Sequence, residues 1–367
     1  MRVGSAESAG GRLGAVLAAP RSGVVSLGRS GPWLATTPAS AKQVLTDPAH
    51  FDFPGDVSRS GDLSASRGDT RSGHLVFDAL SPDQVAGGVE VFEREWAAAL
   101  AAHERTTPHA PYDAMTLLRV PVARSTTAAV LGSADSAQRD RVAGQVLAWI
   151  DALAPVIAAR RPPAGWTRTR RAERRARRAL EETLAQVPGV DPAPVATLLA
   201  AGIQVPIAAG AWLLAWLADH ATGDVDPLHA VWETLRLTPP TWVTARITTA
   251  DVDLADERIP SGSVVMVSPL LLGRLESLVP GDPAGLGDFD PDRWRDGARR
   301  PGAWLPFGAG PHACPGRTLG LAQLLCVARW AVTRELELSE PVTIDQSRGI
   351  TPAPCRFRVA PRREAPQ

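Results

Sequence analysis

The chain has 367 residues, 44% of them hydrophobic, enough to bury a sizeable core in one large domain or two ordinary ones. Acidic and basic residues balance at 39 each, so the totals carry no electrostatic footprint for nucleic acid or an anionic membrane surface. Three cysteines, Cys314, Cys326 and Cys355, show no paired spacing, which argues against a disulfide framework and for a reducing compartment.

Residues 1–25 have Ala-rich patches without a sustained apolar core and do not read as a signal peptide. Val24-Val25-Ser26-Leu27 and Trp33-Leu34-Ala35-Thr36 read as short strands around Gly31-Pro32, and a helix over 40–45 follows. Residues 54–73, rich in Ser, Gly and Asp, predict a surface loop. Apolar spacing then predicts amphipathic helices over 85–102, 117–131 and 139–159.

Residues 160–178 are dense in arginine, including Arg168, Arg170, Arg171, Arg174, Arg175, Arg177 and Arg178. Such a patch suits an acidic partner. Glu173, Glu181 and Glu182 stand at helix-pair intervals, however, so a solvated helix face is expected.

Residues 195–218 are almost unbroken apolar sequence, long enough to span a membrane or to be buried all round in a large core. Gln204 and Pro206 near the middle favour burial. Pro206 has no N–H and crowds the carbonyl four residues back, so the helix should kink and leave the Gly202 carbonyl free for water or a substrate hydroxyl. Asp226-Pro227 opens a further helix and Pro239-Pro240 stops it; within it Glu233 and Arg236 share a face.

The stretch from Pro306 to Gly316 reads as a socket for one thiolate. Gly308 and Gly310 permit a tight turn of the backbone around Cys314, and a helix beginning near Arg317 adds a positive dipole that favours the anion. Such a sulfur binds metal.

Phe307-Gly308-Ala309-Gly310-Pro311-His312-Ala313-Cys314-Pro315-Gly316 resembles the haem-ligand loop of the cytochrome P450 family, F-G-x-G-x-H-x-C-x-G, at every fixed position. The resemblance implies haem b as cofactor, with Cys314 as the proximal iron ligand, Phe307 beside the sulfur, His312 on a haem propionate, and Gly308 and Gly316 shaping the site. It implies a mainly α fold with small β-sheets, the haem lying between the long distal helix and the helix after the Cys loop. The whole chain, 1–367, is then one P450 domain: N-terminal sheet region 24–53, lid loop 54–73, distal helix 195–218, ExxR helix 226–238, meander 289–294, and Cys loop with its following helix 306–332.

Glu233-Thr234-Leu235-Arg236 matches the family's E-x-x-R, and Phe289-Asp290-Pro291-Asp292-Arg293-Trp294 its F-x-P-x-R-W; Glu233, Arg236 and Arg293 are expected to serve fold and haem incorporation. Thr241 to Arg246 matches the strand past the haem edge. Arg246 is then a second propionate partner, and Trp242, Val243 and Thr244, with Ile203, are pocket candidates. Ile259-Pro260-Ser261-Gly262-Ser263-Val264-Val265 resembles the family's I-P-x-G hairpin, with Gly273-Arg274-Leu275 where R-D-P is usual. Leu80-Ser81-Pro82 matches a turn that follows a helix carrying propionate ligands; upstream, Arg71 and His74 are the residues available.

Ala201-Gly202 matches the distal A-G pair, but the usual acid and alcohol are replaced by Gln204 and Val205. Gln204 does not titrate and Val205 has no hydroxyl, so the customary proton relay is absent; Gly202, Gln204 and Val205 are the distal catalytic candidates. The resemblance thus implies a cytoplasmic oxidative tailoring enzyme, monooxygenase-like, acting on a small organic molecule in secondary metabolism. Its electrons would come from a separate ferredoxin and ferredoxin reductase, with no membrane or nucleic-acid partner. Two alternatives stay open: a haem-thiolate enzyme without the usual oxygen activation (peroxygenase, isomerase, dehydratase or cyclisation catalyst), and a non-catalytic haem sensor. The stretch between Arg178 and Val195 is short for the family, as though one helix were missing.

Overall fold

The computed structural model describes residues 2–361 apart from 30, 54–75, 133, 160, 162, 221–224, 296 and 298. The lid loop 54–73 and the candidates Arg71 and His74 lie outside the described residues. The chain divides into two compact units, one of Met1–Gly4, Ala79–Thr234 and Pro315–Gln367, the other of Ser5–Asp78 and Leu235–Cys314.

The first unit is helical, and its helices start where short polar side chains meet amides that lack a helical partner. Ser81 and Gln84 form a reciprocal capping box ahead of Pro82–Thr106, with Pro82 in the first turn. This cap carries the helix a turn upstream of the expected 85–102. Asp113, Asp135 and Thr167 likewise accept from the first-turn amides of Ala114–Val130, Ser136–Ala158 and Arg168–Leu184.

The longest helix, Pro192–Asp219, follows Arg168–Leu184 across 185–191 with no helix between. From Ile207 to Leu217 its side chains are buried throughout. Gly210 admits the neighbouring helix: a Cβ there would stand 2.8 Å from Leu118 Cδ1. Trp212 Nε1 donates to the Ile350 carbonyl at 3.2 Å. Both Ser136–Ala158 and Pro192–Asp219 are long and apolar enough to cross a membrane, but in the latter 67% of the most apolar stretch is buried within the protein, as expected of a core helix. Helix Arg317–Val332 packs on it, and strand Arg356–Pro361 runs antiparallel between Tyr112–Asp113 and Arg334–Leu338.

The arginine-rich helix is not wholly a solvated face. Arg170 and Glu173 are buried and paired at 3.1 Å, and Trp149 Nε1 donates to the other Glu173 oxygen at 3.1 Å. The buried indole N–H needs an acceptor, and the acceptor's charge needs a cation. Arg177, paired with Glu181 at 2.8 Å, covers the Trp149 ring at 5.3 Å. Arg168, Arg171, Arg174, Arg175 and Arg178 are exposed, as expected.

The second unit centres on a five-stranded sheet in the order Val24–Ser26, Trp33–Ala35, Val264–Val267, Thr244–Thr248, Phe51–Asp52, with one parallel pairing, between the second and third. Two expectations shift here. The strand expected from Thr241 begins at Thr244, because Trp242 instead gives its carbonyl to the Ser268 hydroxyl at 2.7 Å. Ile259 and Val264 do not form a hairpin: Glu257–Ile259 pairs with Val252–Leu254, while Val264–Val267 joins the large sheet. The turn between them uses Gly262 at φ +78°. Arg274, where the family's acid is expected, is held by the carbonyls of Leu270 and Leu237 and by Glu7.

Candidate functional site

Backbone chemistry shapes the loop around Cys314. Gly308 and Gly310 both take left-handed φ, +68° and +69°, and the Cys314 N–H donates to the Phe307 carbonyl at 2.8 Å, closing the loop on itself. Gly310 lies against helix Pro38–Thr46: a Cβ would stand 2.3 Å from the Leu45 carbonyl oxygen, so no other residue fits. Leu305, just upstream, also has positive φ, +60°, an uncommon setting for a branched side chain. Cys314 is exposed, three residues ahead of helix Arg317–Val332, whereas Cys326 is half-buried and Cys355 buried. Gly316 precedes that helix and accepts from the Gly320 amide at 2.9 Å.

Arg246 and His312 meet over one ring. The Arg246 guanidinium lies 4.4 Å from the Phe53 ring centroid, and His312 stands edge-on to the same ring at 5.1 Å. Arg246 is only 3% exposed; its Nη1 donates to Thr244 Oγ1 at 3.2 Å and to the Ala245 carbonyl at 2.9 Å, and no described carboxylate pairs with it within 4 Å. Burial pulls the guanidinium below its ordinary pKa, opposed by the charge of Asp52. A buried cation without an ion-pair partner calls for an anion. Phe53 was not singled out from the sequence, where nothing distinguishes it from a core aromatic.

The donor set at Cys314 decides which metal group fits. Among the described residues no cluster of three or more His, Cys, Asp or Glu is placed to hold a metal ion. A lone thiolate suits a metal held in a macrocycle, and Arg246, which no described carboxylate pairs with, would with His312 suit that macrocycle's carboxylates. The residues present fit haem.

On helix Pro192–Asp219, Ala201 and Val205 are exposed one turn apart, Val205 at 37%, while Gly202, Gln204 and Pro206 are half-buried. The helix continues through Pro206. The Gly202 carbonyl is not left free for water or substrate, as expected from the sequence; it accepts from the Thr126 hydroxyl at 3.3 Å. Ile203, expected to line the pocket, is fully buried and offers a ligand no surface. Trp242 is 9% exposed, and Val243 and Thr244 are half-buried.

Helix Pro227–Leu237 carries Glu233 and Arg236, both fully buried. Arg236 donates to the carbonyls of Gly273, Leu286 and Asp288 at 2.9, 2.6 and 3.1 Å. Arg293 donates to Pro280, Gly285 and the same Asp288 oxygen at 2.9, 3.2 and 3.4 Å. Two guanidinia thus gather the carbonyls of a loop whose own backbone bonds are local turns, Pro283–Gly285 among them.

The cytochrome P450 family profile matches residues 229–342, the segment that holds these arginines and the Cys314 loop. A cyclooctat-9-en-7-ol 5-monooxygenase of Streptomyces melanosporofaciens is 38% identical over 105 residues, 28% of this chain and 22% of that protein. Pentalenene oxygenase of Streptomyces avermitilis is 39% identical over 113 residues, 28% and 24% respectively. These matches span about a quarter of the relatives' length. The fold extends further: CYP175A1 from Thermus thermophilus superposes with a TM-score of 0.68 at 21% identity, covering 89% of this chain and 88% of that one. HmtN, a post-tailoring hydroxylase involved in himastatin biosynthesis, gives 0.66 at 21% identity, covering 93% and 95%. Haem b, the cofactor of these folds, is the group that Cys314, Arg246 and His312 fit. The chain therefore has the fold of the cytochrome P450 structures, and its residues 229–342, with the thiolate loop and the buried arginines, match the cytochrome P450 family profile.

Proposed function

We propose that this protein is a haem-thiolate oxidative tailoring enzyme that hydroxylates or otherwise oxidises a small organic molecule in secondary metabolism. The observation that carries the reading is a single exposed thiol, Cys314, in a loop turned by two left-handed glycines, in the same compact unit as a buried arginine that no described carboxylate pairs with. The monooxygenase and oxygenase names of the similar Streptomyces proteins support oxygenation as the reaction class.

When bound, haem supplies oxidation chemistry at an iron made electron-rich by its sulfur ligand. The chain's own residues do the rest. Cys314 binds the iron and Arg246 and His312 neutralise the propionates, while Phe307, Gly308 and Gly316 hold the loop in shape. Arg71 and His74 are further propionate candidates. Glu233, Arg236 and Arg293 serve the fold and haem incorporation. The reading takes 1–367 as a single P450 domain in which Pro192–Asp219 and Arg317–Val332 would flank the haem. Trp242, Val243 and Thr244 contribute to the pocket wall. Electrons come from a separate ferredoxin and its reductase, and the protein works in the cytoplasm.

A second reading has its own observation. Neither Gln204 nor Val205 holds or releases a proton, so the turn after Gly202 supplies no titrating group. An enzyme that takes peroxide, or that isomerises, dehydrates or cyclises its substrate, does not need one. Turnover with NADPH and a surrogate ferredoxin–reductase pair, but not with peroxide alone, supports the first reading. Turnover without any electron source supports the second. Gas binding with no turnover and no substrate-induced spectral shift leaves the sensor.

A further inference from the structure

The gap that Pro206 makes in the long helix is filled from another helix. In an unbroken α-helix the carbonyl of residue 202 accepts the N–H of residue 206, and proline has none. The Thr126 hydroxyl, from Ala114–Val130, reaches the Gly202 oxygen at 3.3 Å. Glycine at 202 permits the approach, since a Cβ there would stand 3.1 Å from Thr126 Cγ2.

A helical threonine commonly bonds its own carbonyl one turn back, as Thr106, Thr183 and Thr197 do here. Thr126 makes no such bond. Its direction is set by Gln323, whose Nε2 donates to Thr126 Oγ1 at 3.4 Å and to Ser125 Oγ at 2.9 Å. Ser125 in turn donates to the Gly88 carbonyl at 2.7 Å. With the amide occupying a lone pair of Thr126, its hydroxyl hydrogen is left for Gly202. All three side chains are buried.

We propose that Thr126 supplies the hydrogen bond that Pro206 withholds, and that Thr126 and Gln323 are positioning residues that fix the 201–206 turn and the exposed Ala201 and Val205 it carries. The effect on a haem-bound ligand rests on the function proposed above; the hydrogen bond itself does not.

The test uses the full chain with Thr126→Val, Thr126→Ser, Pro206→Ala and the Thr126→Val/Pro206→Ala pair. Losing one buried hydrogen bond is expected to speed amide exchange across 201–210 by about tenfold in Thr126→Val, with Thr126→Ser near wild type. Because Pro206→Ala restores the backbone donor, Thr126→Val in that background should change nothing. Unchanged exchange in Thr126→Val, or an equal effect with and without Pro206, overturns the proposal. If Thr126→Val does not fold, Pro206→Ala is expected to rescue it, and failure to rescue is equally fatal. In the haem-loaded protein, imidazole affinity read from the Soret shift should change by about threefold or more in Thr126→Val alone, with the reduced carbonyl band in place. A wild type without that band defeats the proposed function and leaves the exchange result to decide Thr126. The band present with flat exchange defeats the Thr126 proposal by itself.

Discussion

Three thiols in this chain sit in three environments, and only one is open to chemistry. Burial pushes Cys355 up to about 12, with Asp113 acting in the same direction, and pushes Cys326 up to about 11, with Glu93 adding to it. Since the thiolate is the reacting form, iodoacetamide at pH 8 should label exposed Cys314 in haem-free protein and leave the other two. Labelling of Cys326 and Cys355 should rise only as pH approaches those values, and haem loading should protect Cys314. Peptide mapping checks this; equal labelling of all three at pH 8 contradicts it. Arg246→Met tests the propionate role: loss of a charged hydrogen-bond partner should weaken haem retention about tenfold or more, measured by haem transfer to a scavenger, with thermal stability of the haem-free protein little changed. The cysteine loop was legible in the sequence because its signal is local: glycines and a cysteine within eleven residues. Phe53 was not, because its role comes from Arg246 and His312 arriving on its ring.

Elements were legible where their causes lie within a few residues. Ser81, Asp113, Asp135 and Thr167 each cap the helix they precede, and for the first three the cap sets the start a turn ahead of the 85, 117 and 139 expected from apolar spacing alone. The strands around Ile259 were not legible, because a turn looks the same whether its arms pair with each other or with different partners. Burial of Arg170 and Glu173 was hidden for a similar reason: an i,i+3 pair reads as surface until Trp149 arrives from the neighbouring helix. Pro206 announced a vacancy at Gly202, but its occupant comes from 76 residues earlier. Gly310→Ala should cost roughly 2 kcal/mol or more, combining left-handed strain with the clash against Leu45, read as a shift in the denaturant midpoint. At the distal turn, Gln204→Asp with Val205→Thr supplies the missing acid and alcohol. More product per oxygen consumed is expected, and no gain would show that protonation does not limit turnover.

Across the whole molecule, buried or half-buried arginines tie distant chain segments together. In the second unit Arg236, Arg274 and Arg293 bond loop and helix-end carbonyls, and Arg274 also holds Glu7 near the N-terminus. Burial alone would raise the Glu7 carboxyl, but Arg274 beside it brings the net value below the ordinary range. A depressed carboxylate stabilises the fold above its unfolded pKa, and the contribution disappears as pH falls through the folded value. Glu7→Gln should therefore destabilise by less than about 1 kcal/mol at pH 7, since Glu7 is 41% exposed, and should match wild type in strong acid. Arg236→Met would strip the buried Gly273 and Leu286 carbonyls of their Arg236 donor and leave Asp288 to Arg293 alone, and should cost about 3–5 kcal/mol, seen as loss of cooperative unfolding together with haem retention. The measurement closest to the centre is the absorption spectrum of the haem-supplied protein, reduced and treated with carbon monoxide. A red-shifted Soret band typical of cysteinate ligation, lost in Cys314→Ala, is the expected result; its absence from the wild type, or its survival in the variant, would contradict the account.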